Sequence, residues 1–513
     1  MSTKYLLAFD LGTGGNKACL YREDGACLAQ SFKSYQTFYP HSGWHEQKPM
    51  DWWGAIVDST GEVVSTSGIN PNEIAAIGLS GHSLGVVPIS GTGELLRETS
   101  PIWSDSRSKK QAAAFFETVD EQDWYLTTGN GFPAAHYSIF KMQWFRENEP
   151  ELFKQTHKFI GTKDFINYKL TGRLVTDHSY ASGCGAYDLR NWDYSPALIQ
   201  ASGLPREVFP ESVPSTEIIG ELTREVAGEL GLPAGVKVVA GGVDNSCMAL
   251  GARNIAEGTV YNSLGSSSWI AVTSGEPVLD AQSKPFVFSH VIPGMFNSAL
   301  AIFAAGSSFL WLRDQVCAEL ITEAEKSGAD PCDLMTALAS TSPVGANGLI
   351  FNPNLAGGSS LDADPNMRGA FAGLDLGHSK ADLIRAVMEG VALGLRQALN
   401  ELRKLTRVAD EMIVVGGMAQ APLWREILAD AYNLDIVKTN INQEAAVLGA
   451  AAVAAVGSGI WDDFGIIEQI HQVEDIAKPD AVRAARYAGM QPVFQEIADF
   501  QAGIAGKMAA IFS

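Results

Sequence analysis

The alternation of apolar and polar residues near the start of the chain predicts a small antiparallel sheet. Residues 5–10 and 16–21 have the pattern of strands, and residues 11–15 join them through a glycine-rich turn. Asp24-Gly25 is a hairpin signal, so we expect a third strand over residues 26–31.

Strand and helix patterns alternate along the rest of the chain, with a mostly helical stretch over residues 105–170. Strands that alternate with helices are typical of α/β proteins with mixed sheets, which is the fold class we predict. The further predicted strands lie at 74–79, 85–89, 236–242, 258–262, 269–272 and 411–415, and the predicted helices at 50–65, 383–402, 422–432 and 443–455.

The glycine-rich turn of the first hairpin has a counterpart in the second half of the chain. Gly12 and Gly265, each preceded by leucine, lie 253 residues apart in a chain of 513, and both fall between two predicted strands. Duplication of one α/β unit would produce this pattern. A chain of this length holds two large domains in the simplest case, and we place them at residues 1–246 and 247–513.

Composition and charge exclude an intrinsically disordered protein and disfavour two classes of binding partner. Hydrophobic residues make up 46% of the chain and charged residues 19%, which excludes an intrinsically disordered protein. The net charge of −21 disfavours binding to nucleic acid or to an anionic membrane surface. Proline and glycine break the long uncharged runs, so we expect no transmembrane helix.

Cysteine usage and the first residues favour a cytoplasmic protein. The six cysteines include no Cys-x-x-Cys pair, which is typical of free thiols in a reducing compartment. The first apolar run meets Asp10 almost at once, so the pattern of a signal peptide is missing.

The first glycine-rich turn is suited to binding a phosphate. Thr13, Gly14 and Gly15 allow a close approach of the backbone, so that successive amides can surround the phosphate, and Lys17 can neutralise its charge. Asp10, at the end of the first strand, is placed to hold Mg²⁺ directly or through water. A glycine-rich hairpin with a capping aspartate is the alternative interpretation. The turn is not a P-loop, because that motif is absent and no helix follows.

Asp244 follows a Gly-Gly turn near the middle of the chain, where a domain junction would place it in a cleft. A carboxylate in that position could act as a general base and accept the proton of a hydroxyl group. The alternative is an aspartate that only caps a turn at the end of a strand.

Residues 103–107, with the sequence Trp-Ser-Asp-Ser-Arg, have a composition that suits a sugar. Asp105 and Arg107 could bind sugar hydroxyls, and Trp103 could stack on the apolar face of the ring. A plain surface salt bridge is the alternative.

Residues 81–85 match the Gly-x-Ser-x-Gly pattern of hydrolases, which requires a helix after the serine. The residues that follow have β-character instead, and Pro88 disfavours an early helix. We therefore expect a polar turn that lines a cleft, with Ser83 and Leu84 in it.

Taken in order, these segments resemble the FGGY family of carbohydrate kinases, within the superfamily of actin, hexokinase and the heat-shock ATPases. The resemblance runs over nearly the whole chain, and the order and spacing of the segments carry it rather than any single one. The segments lie at residues 10–17, 44–53, 103–107, 141–153, 163–164, 171–172, 241–245, 263–266, 385–390, 415–419, 424, 429–430 and 444–449.

The resemblance implies an ATP-dependent kinase with two actin-like (ribonuclease H-like) domains and a cleft between them that takes ATP and the sugar. It implies that Asp244 is the catalytic base and that Asp10 associates with Mg²⁺. Together with the residue chemistry above, it predicts a nucleotide site at Gly12, Thr13, Gly14, Lys17, Gly265, Ser266, Gly416 and Gly417. The predicted sugar contacts are Ser83, Leu84, Trp103, Asp105, Asp244 and Asn245.

Within the family, residues 44–53 and 141–153 most resemble the members that act on xylulose. Two segments depart from that pattern: residues 82–85 are His-Ser-Leu-Gly rather than Gln-Met-His-Gly, and residues 357–359 are Gly-Gly-Ser rather than Gly-Glu-Arg. The identity of the sugar is therefore open, with a ribulose-type pentulose or a bacterial quorum-signal sugar as alternatives. The second alternative arises because residues 292–314 resemble kinases of such a signal sugar. A sugar-binding protein without catalysis is the rival class, and a homodimer is left open.

Overall fold

The computed structural model describes residues 3–512 of the chain. The chain divides into two compact units, and neither is one continuous stretch. The first comprises Met1–Glu257, Thr273–Ser298 and Glu444–His471, and the second comprises Gly258–Val272, Ala299–Gln443 and Gln472–Ser513. The domain boundary that we predicted after Ser246 falls inside a helix of the first unit, Asp244–Gly251.

Strands and helices alternate in both units, as the sequence patterns predict. In chain order the strands are β1 (Tyr5–Leu11), β2 (Gly15–Arg22), β3 (Cys27–Ser34), β4 (Glu46–Gln47), β5 (Ile74–Gly81), β6 (Val87–Ser90), β7 (Ser100–Pro101), β8 (Thr156–Ile160), β9 (Val175–Asp177), β10 (Tyr187–Asp188), β11 (Asp193–Tyr194), β12 (Glu211–Val213), β13 (Ile218–Glu221), β14 (Lys237–Val239), β15 (Gly242–Val243), β16 (Val260–Leu264), β17 (Ser268–Ser274), β18 (Phe286–Ser289), β19 (Phe296–Ile302), β20 (Ile350–Asn352), β21 (Ala370–Ala372), β22 (Glu411–Val415), β23 (Asp435–Thr439) and β24 (Val473–Ala477).

The helices include the long segments expected from their periodicity. In chain order they are α1 (Pro49–Ser67), α2 (Lys109–Phe115), α3 (Glu121–Thr128), α4 (Ser138–Asn148), α5 (Pro150–Gln155), α6 (Thr162–Thr171), α7 (His178–Ser182), α8 (Pro196–Ser202), α9 (Arg224–Leu230), α10 (Asp244–Gly251), α11 (Gly306–Val316), α12 (Ala318–Ser327), α13 (Pro331–Ala339), α14 (Lys380–Leu405), α15 (Pro422–Tyr432), α16 (Ala445–Ser458), α17 (Ile466–Ile470) and α18 (Ala481–Phe512). Within the described part of the chain, no helix combines the length and apolar character needed to cross a membrane.

The main sheet of the first unit is mixed. Its strands follow the order β13-β14-β5-β1-β2-β3, and β15 also pairs with β5. β1 is antiparallel to β2 and parallel to β5, which in turn is parallel to β14 and β15. The carboxyl ends of β1, β5 and β15 therefore lie at one edge of the sheet, where side chains that follow these strands come together.

The second unit repeats the central part of this arrangement. β16 is antiparallel to β17 and parallel to β22, which is parallel to β23. The set β17-β16-β22 thus has the same pairing as β2-β1-β5 in the first unit. This correspondence supports the duplication that the two Leu-Gly turns suggested.

One predicted strand is interrupted. The apolar run 236–242 forms β14 and β15 with a break at Ala240-Gly241, rather than a continuous strand. Gly241 has φ of +73°, and a Cβ there would lie 2.2 Å from the carbonyl oxygen of Leu79 in β5. Only glycine fits this crossing, which sets the direction in which the chain enters α10.

Two helices of the first unit approach so closely that only glycine fits at their contacts. In α10 a Cβ on Gly251 would lie 1.8 Å from the carbonyl oxygen of Ala445, and in α16 a Cβ on Gly449 would lie 1.9 Å from that of Cys247. α16 also packs against β1 and β5, so this contact locates α10 relative to the sheet.

We expect Gly449→Ala to destabilise the protein by about 1–3 kcal/mol, because the added methyl group meets backbone that cannot rotate away. Gly228→Ala is the matched control: it adds the same methyl group to α9, where nothing lies within 4 Å. For Gly228→Ala we expect the free energy of unfolding to rise by about 0.4–1 kcal/mol. Urea unfolding followed by circular dichroism measures both, and equal stabilities of Gly449→Ala and wild type would contradict the close contact.

Candidate active site

The first glycine-rich turn connects β1 and β2 and is held from several sides. In the hairpin Asp10 lies opposite Lys17, and the amide of Gly12 donates to the carbonyl of Gly15 at 3.0 Å. Gln47 Nε2 donates to the carbonyl of Thr13 at 2.8 Å. The first bond engages the amide of Gly12 and the second the carbonyl of Thr13, so the amides of Thr13 and Gly14 are the candidates for binding an anion.

One candidate carboxylate, Asp10, lies in β1, and the other, Asp244, directly follows β15; both strands pair with β5. Asp10 in β1 and Gly242 in β15 are both in register with Ser80 of β5, and Asp244 comes two residues after Gly242. Ser80 Oγ donates to Asp10 Oδ1 at 2.7 Å, which fixes that carboxylate at the edge of the sheet.

Burial raises the pKa of both carboxylates, and the charge of Asp10 raises that of Asp244 further. Burial raises the pKa of Asp10 above its ordinary value, and the Ser80 hydrogen bond and the charge of Lys17 oppose the rise. The pKa of Asp244 is raised to about 7, first by burial and then by the negative charge of Asp10. At neutral pH Asp244 is therefore poised between its protonated and ionised forms, as a general base requires.

Asp244 is the first residue of α10 rather than its N-cap, which is Val243. Its Oδ1 accepts hydrogen bonds from the amide and the side-chain nitrogen of Asn245, at 2.8 and 3.1 Å. The capping interpretation of Asp244 thus has some basis, because the carboxylate does accept from one backbone amide at the helix start.

A buried ionic network supports the chain just before Asp244. Lys163 Nζ lies 2.6 Å from Asp164 and 2.8 Å from Asp177, and none of the three side chains is exposed. Asp177 accepts a hydrogen bond from Ser179 Oγ, which accepts one from the amide of Val243 at 2.9 Å. No role was predicted for Asp177 and Ser179 from the sequence. Their only signal was a short polar stretch between apolar ones.

The turn at residues 82–85 follows β5, and strand β6 comes after it, as expected for a turn that is not a nucleophile elbow. The amide of His82 donates to the carbonyl of Leu11 at 3.0 Å, which joins this turn to the first glycine-rich turn. Leu84 has φ of +60°, and its buried side chain packs among aromatic residues. Ser83 and the turn backbone are therefore the groups that this segment offers to a ligand.

Trp103 and Asp105 have different surroundings. Trp103 is 37% exposed, and its Nε1 donates to Thr13 Oγ1 at 2.8 Å, so the indole lies beside the first glycine-rich turn. Asp105 is buried, pairs with Arg107 through both carboxylate oxygens, and accepts from the amide of His45. The pair is thus a buried one, not the surface salt bridge of the alternative interpretation.

The two candidate turns of the second unit lie next to each other. Gly265 and Ser266 follow β16, and their carbonyls accept from the amides of Gly306 and Ala305 at 3.0 and 2.9 Å. Gly416 follows β22, the parallel neighbour of β16, and is so close that a Cβ on it would lie 2.5 Å from the carbonyl oxygen of Leu264. Gly417 begins the adjoining 3-10 helix, Gly417–Gln420.

Comparison with known proteins identifies the family to which the chain belongs. The N-terminal domain of the FGGY family of carbohydrate kinases matches residues 5–251, and the C-terminal domain of that family matches residues 260–458. The chain belongs to the FGGY family of carbohydrate kinases. It is an ATP-dependent sugar kinase with two actin-like α/β domains, which confirms the predicted fold class and enzyme class.

Individual relatives carry more than one substrate name. The chain is 29% identical to the xylulose kinase of Bacillus subtilis (strain 168), over 96% of both chains. The crystal structure of xylulose kinase from Rhodospirillum rubrum has a TM-score of 0.90 at 27% identity, covering 98% of this chain and all of that one. The crystal structure of gluconate kinase from Lactobacillus acidophilus has a TM-score of 0.89 at 27% identity, covering 99% of this chain and all of that one.

We expect Asp244→Asn to stabilise the protein in a pH-dependent way. Because the pKa of Asp244 is raised above its ordinary value of 3.8, the folded state binds this proton more tightly than the unfolded state. Raising the pH through 7 therefore destabilises the wild type and not the variant, so the gain in Tm should grow between pH 5 and pH 8.

Differential scanning fluorimetry across this pH range measures the effect. Asp120→Asn removes the same charge from the start of α3, where the exposed carboxylate accepts from the amide of Asp123, and we expect no comparable trend. A variant less stable than wild type at every pH would favour the capping interpretation of Asp244.

Proposed function

We propose that the protein transfers the γ-phosphoryl group of ATP to a hydroxyl group of a neutral ketose, with xylulose as the first candidate. The observation that carries this proposal is the pair Asp10 and Asp244, held at one edge of a sheet beside the Thr13–Gly14 amides. A base for the attacking hydroxyl group and a turn that binds phosphate are groups that phosphoryl transfer requires, and the exposed indole of Trp103 offers an apolar face to a sugar ring.

Asp244 is the proposed base. With a pKa raised to about 7, it accepts the proton of the attacking hydroxyl group at physiological pH. Its burial favours the neutral form, so gaining a proton from the sugar relieves the repulsion with Asp10. Asn245, whose side chain donates to Asp244, orients the carboxylate and the sugar.

The donor set also suits a divalent cation. Two carboxylates that are desolvated together bind a hard cation favourably, because its charge removes their repulsion. Asp10 would hold Mg²⁺, which when bound supplies charge stabilisation to the transferring phosphoryl group. Lys17, ion-paired with Glu444 at 3.4 Å, completes the charged surroundings of the first turn.

In each unit, glycine-rich turns are the proposed nucleotide contacts. In the first unit the Thr13 and Gly14 amides face the phosphates, with Gly12 shaping the turn. In the second unit Gly265 and Ser266 take a phosphate, and Gly416 and Gly417 take the remainder of the nucleotide. The pairing of β16 with β22 supports a single site for these four residues, because it puts the ends of the two strands side by side.

A neutral sugar fits the charges of the predicted sugar contacts better than gluconate does. The cations around these turns already have partners: Arg107 is paired with Asp105, and Lys141 with two backbone carbonyls. Burial lowers the pKa of His82 and of His136 to about 4, so both are neutral at physiological pH. Both cationic side chains are also fully buried, so a carboxylate on the substrate would meet no exposed cation among these residues.

We expect ADP release to require both Mg²⁺ and a ketose, because the base needs an acceptor hydroxyl and the phosphates need charge neutralisation. A coupled assay with xylulose, ribulose, gluconate and no sugar measures this. The highest kcat/KM should be for xylulose, and gluconate should be turned over poorly. Equal ATP turnover without sugar would refute the kinase proposal, and a preference for gluconate would refute the neutral ketose.

In the same assay Asp244→Asn should lower kcat by about 10²–10⁴-fold, the usual effect of removing a general base. Asp120→Asn should keep the wild-type rate. Near wild-type turnover by Asp244→Asn would show that another residue is the base.

A further inference from the structure

Lys141 is a fully buried lysine in α4, between the apolar residues Phe140 and Met142. Its ammonium group donates to two backbone carbonyls, that of Leu84 at 3.0 Å and that of Ile102 at 2.7 Å. The two acceptors lie 18 residues apart in the sequence, on segments that are also joined by a hydrogen bond from the amide of Val86 to the carbonyl of Pro101 at 3.2 Å. Each acceptor is next to a predicted sugar contact: Leu84 follows Ser83, and Ile102 precedes Trp103.

This burial is costly for the protein. Desolvation of an ammonium group costs several kcal/mol, and here it lowers the pKa of Lys141 to about 7. The nearest opposite charge, Asp105, is shared with Arg107 and the amide of His45. An apolar side chain of similar length would fill the same space without the desolvation penalty, so the two carbonyl bonds are what the lysine provides.

The Leu84 bond acts on a strained residue. Leucine disfavours the left-handed region, and Leu84 has φ of +60°. The carbonyl of that residue points to the ammonium group, which stabilises the conformation. The Ile102 bond fixes the start of the other segment, where Trp103 reaches Thr13 of the first glycine-rich turn.

We infer that Lys141 is a positioning residue that holds residues 82–85 and 102–107 in one arrangement, so that Ser83 and Trp103 meet the sugar together. This inference rests on the proposed function, because it takes these two turns as the sugar contacts. Lys141 itself is too deeply buried to touch the substrate.

The test compares two lysines that make the same kind of contact. Lys158 also donates to two backbone carbonyls, of Glu207 at 2.7 Å and Phe209 at 2.9 Å, in the same unit but outside the candidate site. Lys141→Met and Lys158→Met therefore remove the same kind and number of bonds, from a fully buried and a half-buried lysine respectively. Lys141→Gln, which keeps a side-chain donor, is the second variant should Lys141→Met not fold.

We expect Lys141→Met to raise KM for xylulose by about 10- to 100-fold, the effect of losing hydrogen bonds from a charged donor. KM for ATP and kcat should stay within about threefold, since the base and the glycine-rich turns are intact. Lys158→Met should leave all three constants unchanged. A wild-type KM for xylulose in Lys141→Met, or an equal rise in KM for ATP, would overturn the inference.

Hydrogen–deuterium exchange gives a readout that does not need activity. Amides at residues 82–87 and 102–108 should exchange faster in Lys141→Met, whereas Lys158→Met should affect residues 205–211 only. Unchanged exchange in either of the first two segments would overturn the positioning role. If the wild-type enzyme phosphorylates no ketose, the proposed function fails, and exchange alone then decides whether Lys141 holds the two turns.

Discussion

Desolvation of two carboxylates at one edge of a sheet is the constraint on which the first unit depends. Asp10 and Asp244 lie on either side of β5, burial raises the pKa of both, and the charge of Asp10 makes ionisation of Asp244 still less favourable. Keeping such a pair requires a rigid frame, because a flexible one would let the side chains separate and hydrate. The frame consists of the Ser80 bond to Asp10 and the glycine crossing at Gly241 that directs the chain into α10.

Two further features stabilise this frame: a buried ionic network and a close contact between two helices. The buried Lys163 network reaches the amide of Val243 through Ser179, and α16 presses α10 against the sheet through contacts that only glycine allows. Each feature is unfavourable when taken alone: a buried lysine is desolvated, and glycine weakens a helix. Together they specify the direction of one carboxylate, which is the use of buried polar groups that best explains their presence here.

Sequence patterns predicted regular elements well where local preferences agree with the final packing. The predicted strand at Glu411–Val415 and helix at Pro422–Tyr432 match the structure to the residue. The break at Ala240-Gly241 was not predicted, because it arises from the approach to Leu79, which lies far away in the sequence. Asp105 was seen as a sugar contact or a surface ion, since burial between distant segments leaves no local signal.

The same distinction applies to the residues of the candidate site: those in a local turn were predicted, and those held by distant segments were not. Asp10, Thr13 and Gly14 were predicted from their own turn, because a turn between adjacent strands is a local structure. Ser179 and Lys141 were not, because their roles depend on carbonyls and amides that the fold brings to them. In the proposed sugar site, specificity belongs to this second class. The segments that carry Ser83 and Trp103 are joined by a backbone hydrogen bond from Val86 to Pro101 and by the side chain of Lys141 in α4, so residue types at the turn alone would not determine which sugar is bound. The departures from the xylulose pattern at residues 82–85 thus lie in a turn whose geometry is also set by α4.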